Sequence, residues 1–226
     1  MNWRWDVVQM AWPVVFEGAK LTLVISALGI LFGSIIGFLV GLIRSRRPDS
    51  LPLRLLFWLA GGYVELVRGT PFLVQLYLVN YGPYLLLGTN IPELTAGVIA
   101  ISLNSGAYVA EIARGAIQSI DKGQMEAGRS LGLTYGQTMR HIILPQALRR
   151  ALPPLANEFV TLIKESSVVS VLGIQETTFK GRMVGTTTFA PFEPMLVVTV
   201  YYLIMTGVTS QLVRLLERRM GRSDSH

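Results

Sequence analysis

The sequence predicts an all-α, polytopic integral membrane bundle of about five transmembrane helices with a cytoplasmic loop, and three observations predict it. Apolar residues make up 51% of the 226 residues and charged residues only 15%. The apolar residues are gathered into runs of roughly 20, the length a helix needs to cross about 30 Å of hydrocarbon, where a soluble domain of this size would alternate its faces. The basic residues fall in short clusters beside those runs, as topology-setting charge does.

The elements follow in order along one domain, residues 1–226. Trp3, Trp5 and Trp12 stand among polar residues without the basic start, short apolar core and small-residue cleavage site of a secretory signal, so this segment is expected to lie at the interface and to be retained. The first span is expected over 21–43, closed by Arg44, Arg46, Arg47 and the helix breaker Pro48. Inside it Gly29, Gly33, Gly37 and Gly41 recur every fourth residue, which puts them on one face and lets a neighbouring helix come close. The second stretch, 53–87, is too long for one straight span and is interrupted by Glu65, Arg68, Gly69, Thr70 and Pro71, so a broken helix is expected near 68–71. Further spans are expected over 94–116, 152–173 and 194–216, the last ending in Arg214, Arg218, Arg219 and Arg222. An odd number of crossings puts the termini on opposite sides. Most lysines and arginines lie before the second span, between Arg114 and Arg150, and in the tail, which places the amino terminus outside and the carboxyl terminus in the cytoplasm.

Between the third and fourth spans, residues 119–145 are too polar for lipid yet have the pattern of two short helices. Asp121 or Ser119 can cap the first, which is expected to stop at Gly132. Thr134 with Gln137 is a capping-box pattern for the second, expected to run until Pro145.

Composition also excludes functions. The net charge of +6 is clustered beside apolar runs and does not form one basic face, so no nucleic acid partner is expected. There is no cysteine, and the two histidines, His141 and His226, lie far apart, so no disulfide, thiolate or metal site is expected. No Gly-x-x-x-x-Gly-Lys-Ser/Thr loop occurs, so ATP is not bound here by that route.

Ionisable and amide groups within spans are costly unless they face a cavity or one another. Asn104, Tyr108 and Glu111 share one face of the third span, and Asn157, Thr161 and Lys164 or Glu165 share one of the fourth, with Glu158 beside them. They are candidates for lining a polar path. The structural alternative pairs Glu111 with Arg114 and Glu65 with Arg68, the latter pair holding the chain break. Lys180, Arg182, Phe189 and Phe192 fall in an outer loop before the last span, where a partner could dock.

The loop residues Glu126, Ala127, Gly128, Gly132, Ile142, Leu144 and Pro145 carry the spacing of the EAA loop of permease subunits of type I ABC importers, with Gly128 where that pattern has a second alanine. The blocks Glu65-Leu-Val-Arg68-Gly69-Thr70-Pro71, Asn104-Ser-Gly-Ala-Tyr108-Val-Ala-Glu111, and Asn157-Glu158 with Lys164-Glu165-Ser166-Ser167 resemble the polar amino acid branch of that family, the one that includes histidine, glutamine and arginine permeases. The resemblance covers most of residues 15–215. It implies an inner-membrane transport subunit without catalytic residues or a cofactor of its own. ATP and magnesium would sit on a separate ATP-binding subunit docked on Glu126–Pro145. A solute-binding protein would deliver the amino acid, and a second permease copy, identical or homologous, would complete the path in the lipid. The rival reading, an ion-coupled secondary amino acid transporter, predicts inverted repeats that the sequence does not display, and it leaves the capped loop without a purpose.

Overall fold

The computed structural model describes residues 3–45 and 50–221, with side chains as far as residue 215. Among these residues every regular element is helical. Arg46, Arg47, Pro48 and Arg222 lie outside the described residues, as do the side chains of Arg218 and Arg219. In chain order the first helices are α1 (Trp5–Arg44), α2 (Leu51–Arg68), α3 (Phe72–Leu87) and α4 (Glu93–Gln118).

Helix α1 begins well before residue 21, where the first span is expected. Its 40 residues form one helix of about 60 Å, so Trp5 and Trp12 are continuous with the helix that contains the expected span. Glu17 and Lys20 lower the hydropathy of this region, but they pair along the helix at 2.7 Å, and the Lys20 ammonium lies 4.8 Å from the Phe16 ring centre. Pro13 sits within the helix.

The four glycines of α1 do what their spacing predicts. All are buried, and they form a seam with α4. A Cβ would stand 3.0 Å from Ile101 at Gly29, 2.8 Å from Ser105 at Gly33, 2.5 Å from Val109 at Gly37 and 2.7 Å from the Ala110 carbonyl at Gly41. Close backbone approach of this kind lets dispersion replace the hydrophobic drive that lipid does not supply.

The expected break is present between α2 and α3. Pro71 has no N–H and biases Thr70 away from the helical region. The end of α2 is closed by Gly69 N–H on the Glu65 carbonyl and the Thr70 hydroxyl on the Leu66 carbonyl, both 2.8 Å. Val64 and Val67 of α2 pack on Ala107 and Ala110, while Leu76 of α3 packs on Ala100 and Ile101. The two halves therefore run antiparallel to α4 as one bent path.

A hairpin follows. Helix α5 (Lys122–Ser130) is capped by Asp121, whose carboxylate accepts from the Gly123 N–H at 2.6 Å. It ends in a left-handed turn at Gly132, φ +83, where the Gly132 and Leu133 N–H groups donate to the Arg129 and Gly128 carbonyls at 3.1 Å each. This is the paired 5→2 and 6→1 pattern of a glycine C-cap. Helix α6 (Tyr135–Thr138) opens on the full Thr134–Gln137 capping box.

The expectation that Pro145 stops this second helix is corrected. The chain continues through a π-turn, Met139–Ile143, into α7 (Leu144–Glu165). Proline breaks an α-helix by lacking a donor and crowding the carbonyl four residues back. In a π-turn the register widens to i→i+5, and Pro145 falls in the first turn of α7, where no donor is needed.

After α7 come a 3₁₀ segment, Ser166–Leu172, then α8 (Thr177–Thr188) and α9 (Phe192–Gly221). Lys180 and Arg182 thus lie on a helix, not in a loop. Lys180 donates to Gln175 at 2.8 Å, and Arg182 donates to the Ser170 carbonyl at 3.1 Å. Phe189 on the short α8–α9 turn and Phe192 at the start of α9 are exposed, and Phe189 has a left-handed φ of 52. The core joins α1, α7, α8 and α9 through Val7, Ala11, Val15, Ile163, Val184, Val197 and Tyr201. By length and composition three described helices can cross a membrane, Trp5–Arg44, Glu93–Gln118 and Phe192–Leu215.

Candidate functional site

The hairpin of α5 and α6 is built from the inside out. Met139, Ile143 and Ala147 are buried with Ala116 and Ile120 at the end of α4, and Met125, Tyr135, Ile142 and Leu144 pack around them. Gly128 is buried against Thr138: a Cβ there would meet the Thr138 methyl at 2.5 Å. With its inner face consumed, the hairpin presents Glu126, Ala127, Gly132 and Pro145 to the outside, together with Leu131, 81% exposed.

The candidate path residues separate into two groups. On α4, Asn104 is buried and donates its amide to Gln75 of α3 at 2.9 Å. One turn on, the Tyr108 ring lies under the Arg68 guanidinium, 5.6 Å from carbon to ring centre. Glu111 is claimed by two arginines. It pairs with Arg114 at 2.6 Å, as the structural alternative foresaw, and also with Arg44 from the end of α1. It ties two helix ends together and is not free to act as a ligand.

The expected Glu65–Arg68 pair does not form. Both side chains are exposed, and Arg68 turns to Tyr108. The break is held by Gln75, whose side-chain nitrogen reaches the Val67 carbonyl at 2.7 Å and the Thr70 carbonyl and hydroxyl at 3.0 Å each. Gln75 sits one helical turn after Pro71, inside an apolar run, and its polarity within that run was the available signal. Replacing it with Leu leaves the Val67 and Thr70 carbonyls and the Asn104 amide without this partner. That should cost about 2–3 kcal/mol and lower the melting temperature of the detergent-purified protein by about 5 °C or more. A melting temperature unchanged to within a degree would show that the break is held otherwise.

On α7, Asn157 and Lys164 are exposed while Glu158, Thr161 and Glu165 are half-buried. The Thr161 hydroxyl bonds the Asn157 carbonyl at 3.2 Å. Glu158 faces the buried Ser105 hydroxyl of α4 without meeting hydrogen-bond geometry. A second residue missed in sequence is Glu176, fully buried at the start of α8. Its carboxylate accepts from Tyr202 at 2.8 Å, from the Phe179 N–H at 2.8 Å and from Thr22 at 3.3 Å, fastening α8 to α1 and α9. Gly18 allows this, because a Cβ there would lie 2.8 Å from the Glu176 backbone.

Comparison with known proteins adds the following. The model of the family described as binding-protein-dependent transport system inner membrane component matches residues 33–222. The glutamine transport system permease protein GlnP of Escherichia coli K12 is 42% identical over 225 residues, covering 97% of this chain and 99% of the relative. The arginine transport system permease protein ArtQ of Bacillus subtilis 168 is 36% identical over 212 residues, 94% of each chain. A crystal structure of an amino acid ABC transporter with histidines superposes with a TM-score of 0.88 at 40% identity, covering 97% of this chain and all of the other. An inward-facing structure of the MetNI methionine ABC transporter, at 22% identity and a TM-score of 0.71 over 92% of this chain and 98% of that one, shares the fold.

Proposed function

The chain belongs to the family of binding-protein-dependent transport system inner membrane components, and on that premise we propose how it works as the multi-pass inner-membrane permease subunit of an ABC importer. The cargo is a polar amino acid, with glutamine the first to test. ATP and magnesium sit on a separate ATP-binding subunit, and that subunit docks on the hairpin through Glu126, Ala127, Leu131 and the turn at Gly132. A solute-binding protein loads the complex from the side of the α8–α9 turn. A second permease copy, identical or homologous, faces the polar surface made by the α2–α3 break, Tyr108 and the exposed edge of α7. The amino terminus lies outside and the carboxyl terminus in the cytoplasm, in keeping with the basic residues of the hairpin and tail.

The observation that carries this reading is the hairpin. It is capped at both helix starts and closed by a glycine turn, its apolar side packs against the end of α4, and it still offers an exposed Leu131. The test is uptake into liposomes holding the permease, its ATPase and its binding protein, comparing the native chain with Glu126→Ala combined with Gly132→Pro. Proline cannot adopt the left-handed φ of Gly132. ATP hydrolysis stimulated by loaded binding protein, and ATP-driven glutamine uptake, are expected to fall by about tenfold or more in the variant, the scale of a lost coupling between sites. Uptake that proceeds without ATPase and ignores the double change would sink the proposal in favour of ion-coupled transport.

A further inference from the structure

A groove of about 600 Å³ runs along the seam of α1 and α4, between Val24, Leu28 and Phe32 on one side and Val98, Ile99 and Leu103 on the other. Its polar lining is limited to Thr95 and Ser102, and the Ser102 hydroxyl is already bonded to the Val98 carbonyl at 2.6 Å. None of the candidate path residues lines it. One end is closed. The Tyr63 hydroxyl of α2 donates to the Leu103 carbonyl at 2.6 Å. Beside it stands Ile36, the last α1 residue of the lining: a Cβ at Gly106 would lie 2.7 Å from that hydroxyl and 3.0 Å from Ile36.

The depth of the groove follows from the helices that form it. The apolar stretch of α1 between Lys20 and Arg44 is about 34 Å long, close to one thickness of hydrocarbon. Helix α4 runs beside it in step, Gly29 against Ile101 and Gly41 against Ala113, which sets Leu21 level with Glu93. The groove opens at that level, at Leu21 and Leu94, and reaches Ile36, about 22 Å further along the axis. Its mouth is therefore at one membrane surface and its foot just past mid-membrane, about 15 Å down. A slot of this length, open above, closed below and apolar throughout, fits a single lipid tail.

The mouth is charged. Glu17 and Lys20 stand one turn before Leu21 and Val24 on the same face of α1. They pair at 2.7 Å while 61% and 56% of their side chains stay exposed, and so exposed a pair contributes little by itself and exchanges readily for other partners. Glu93 opens α4 at the same level and is exposed. Two carboxylates beside one ammonium disfavour an anionic headgroup. They complement one that carries a protonated amine as well as a phosphate.

We propose that this groove binds one tail of a phosphatidylethanolamine, with the lipid phosphate on Lys20 and its ammonium on Glu17 and Glu93. With the amino terminus outside, the lipid belongs to the outer leaflet.

The test is a titration of the full chain, purified in detergent with its ATPase and stripped of lipid, with phosphatidylethanolamine, phosphatidylcholine and phosphatidylglycerol of identical tails. Native mass spectrometry counts the lipids bound per permease chain. One saturable phosphatidylethanolamine per chain is expected, held about tenfold more tightly than either other lipid, because the choline nitrogen has no N–H to donate and the glycerol headgroup has no ammonium. Glu17→Gln combined with Glu93→Gln is expected to erase that preference. Ile99→Trp, in the groove wall, is expected to remove the saturable site for all three lipids, whereas Leu203→Trp, on the exposed face of α9, is expected to leave it. Lipids that accumulate without saturation or headgroup preference are ordinary solvating lipid and would overturn the proposal. So would a site that survives Ile99→Trp, a preference undiminished in the double Gln variant, or a site found on single permease chains and absent from pairs, which would make a second copy the occupant.

Discussion

Gly37→Leu prevents folded protein from accumulating in the membrane. The Cβ alone would come within 2.5 Å of the Val109 Cβ and 2.8 Å of the Gly106 carbonyl. Neither can withdraw without separating the helices: the Val109 Cβ is fixed by its own backbone whatever its rotamer, and the Gly106 carbonyl is backbone in the middle of α4. Overpacking a close seam costs about 3 kcal/mol or more, and α1–α4 is the longest seam of the bundle, with Gly29, Gly33 and Gly41 failing in turn once the axes part. The measurement is membrane abundance together with monodispersity after detergent extraction, with Gly207→Ala as the control, because nothing lies within 4 Å of a Cβ at Gly207. Equal yields of well-behaved Gly37→Leu and Gly207→Ala protein would refute the close-packed seam.

The second large effect is expected at the hairpin. Gly128→Ala, which restores the residue of the family pattern, is expected to abolish most ATP-coupled uptake here, because the new methyl would meet Thr138 at 2.5 Å (Cγ2) and 2.8 Å (Oγ1). Thr138 cannot turn away cheaply. It is buried and its hydroxyl donates to the Thr134 carbonyl at 3.1 Å, within the capping box itself. The strain, about 1–3 kcal/mol, prises α5 from α6 and moves Glu126 and Leu131 relative to the rest of the docking surface. Thr138→Ala added to Gly128→Ala removes both clashing atoms and is expected to restore uptake to near the native rate. If the single change is silent, or the second fails to rescue it, Gly128 and Thr138 are not matched in this way.

Much of the fold was legible because it follows from local rules. Glycines every fourth residue make a seam, Gly-Thr-Pro breaks a helix, and Thr-x-x-Gln opens one, all without reference to distant residues. Misjudgements arose where a partner far along the chain, or a change of helical register, overrode the local signal. Residues 5–20 read as a segment apart because tryptophans stand among polar residues there, whereas the helix runs through them to Arg44 without a break. Pro145 looked like a stop because a π-turn is not foreseeable from sequence. For the candidate site, composition located Asn104, Tyr108 and Glu111 but not their duties. Glu111 is tied by Arg44, 67 residues away, and the duty assigned to Glu65 and Arg68 belongs to Gln75. Glu176 was overlooked because its burial depends on Thr22 and Tyr202, residues that sequence order keeps apart.

The helical continuity from Tyr135 through the π-turn to Glu165 has a mechanical consequence. Residues 135–165 form an arm of roughly 45 Å, with the hairpin at one end and Lys164 and Glu165 at the other. A tilt of about 10° about the membrane end sweeps the hairpin through about 8 Å, and a push of that size at the hairpin arrives at Lys164 as a small rotation. The arm trades travel for force. Because Pro145 sits where the π-turn excuses its missing donor, the arm is not hinged there; the prolines inside α7 are Pro153 and Pro154, and any bend in the arm falls at them.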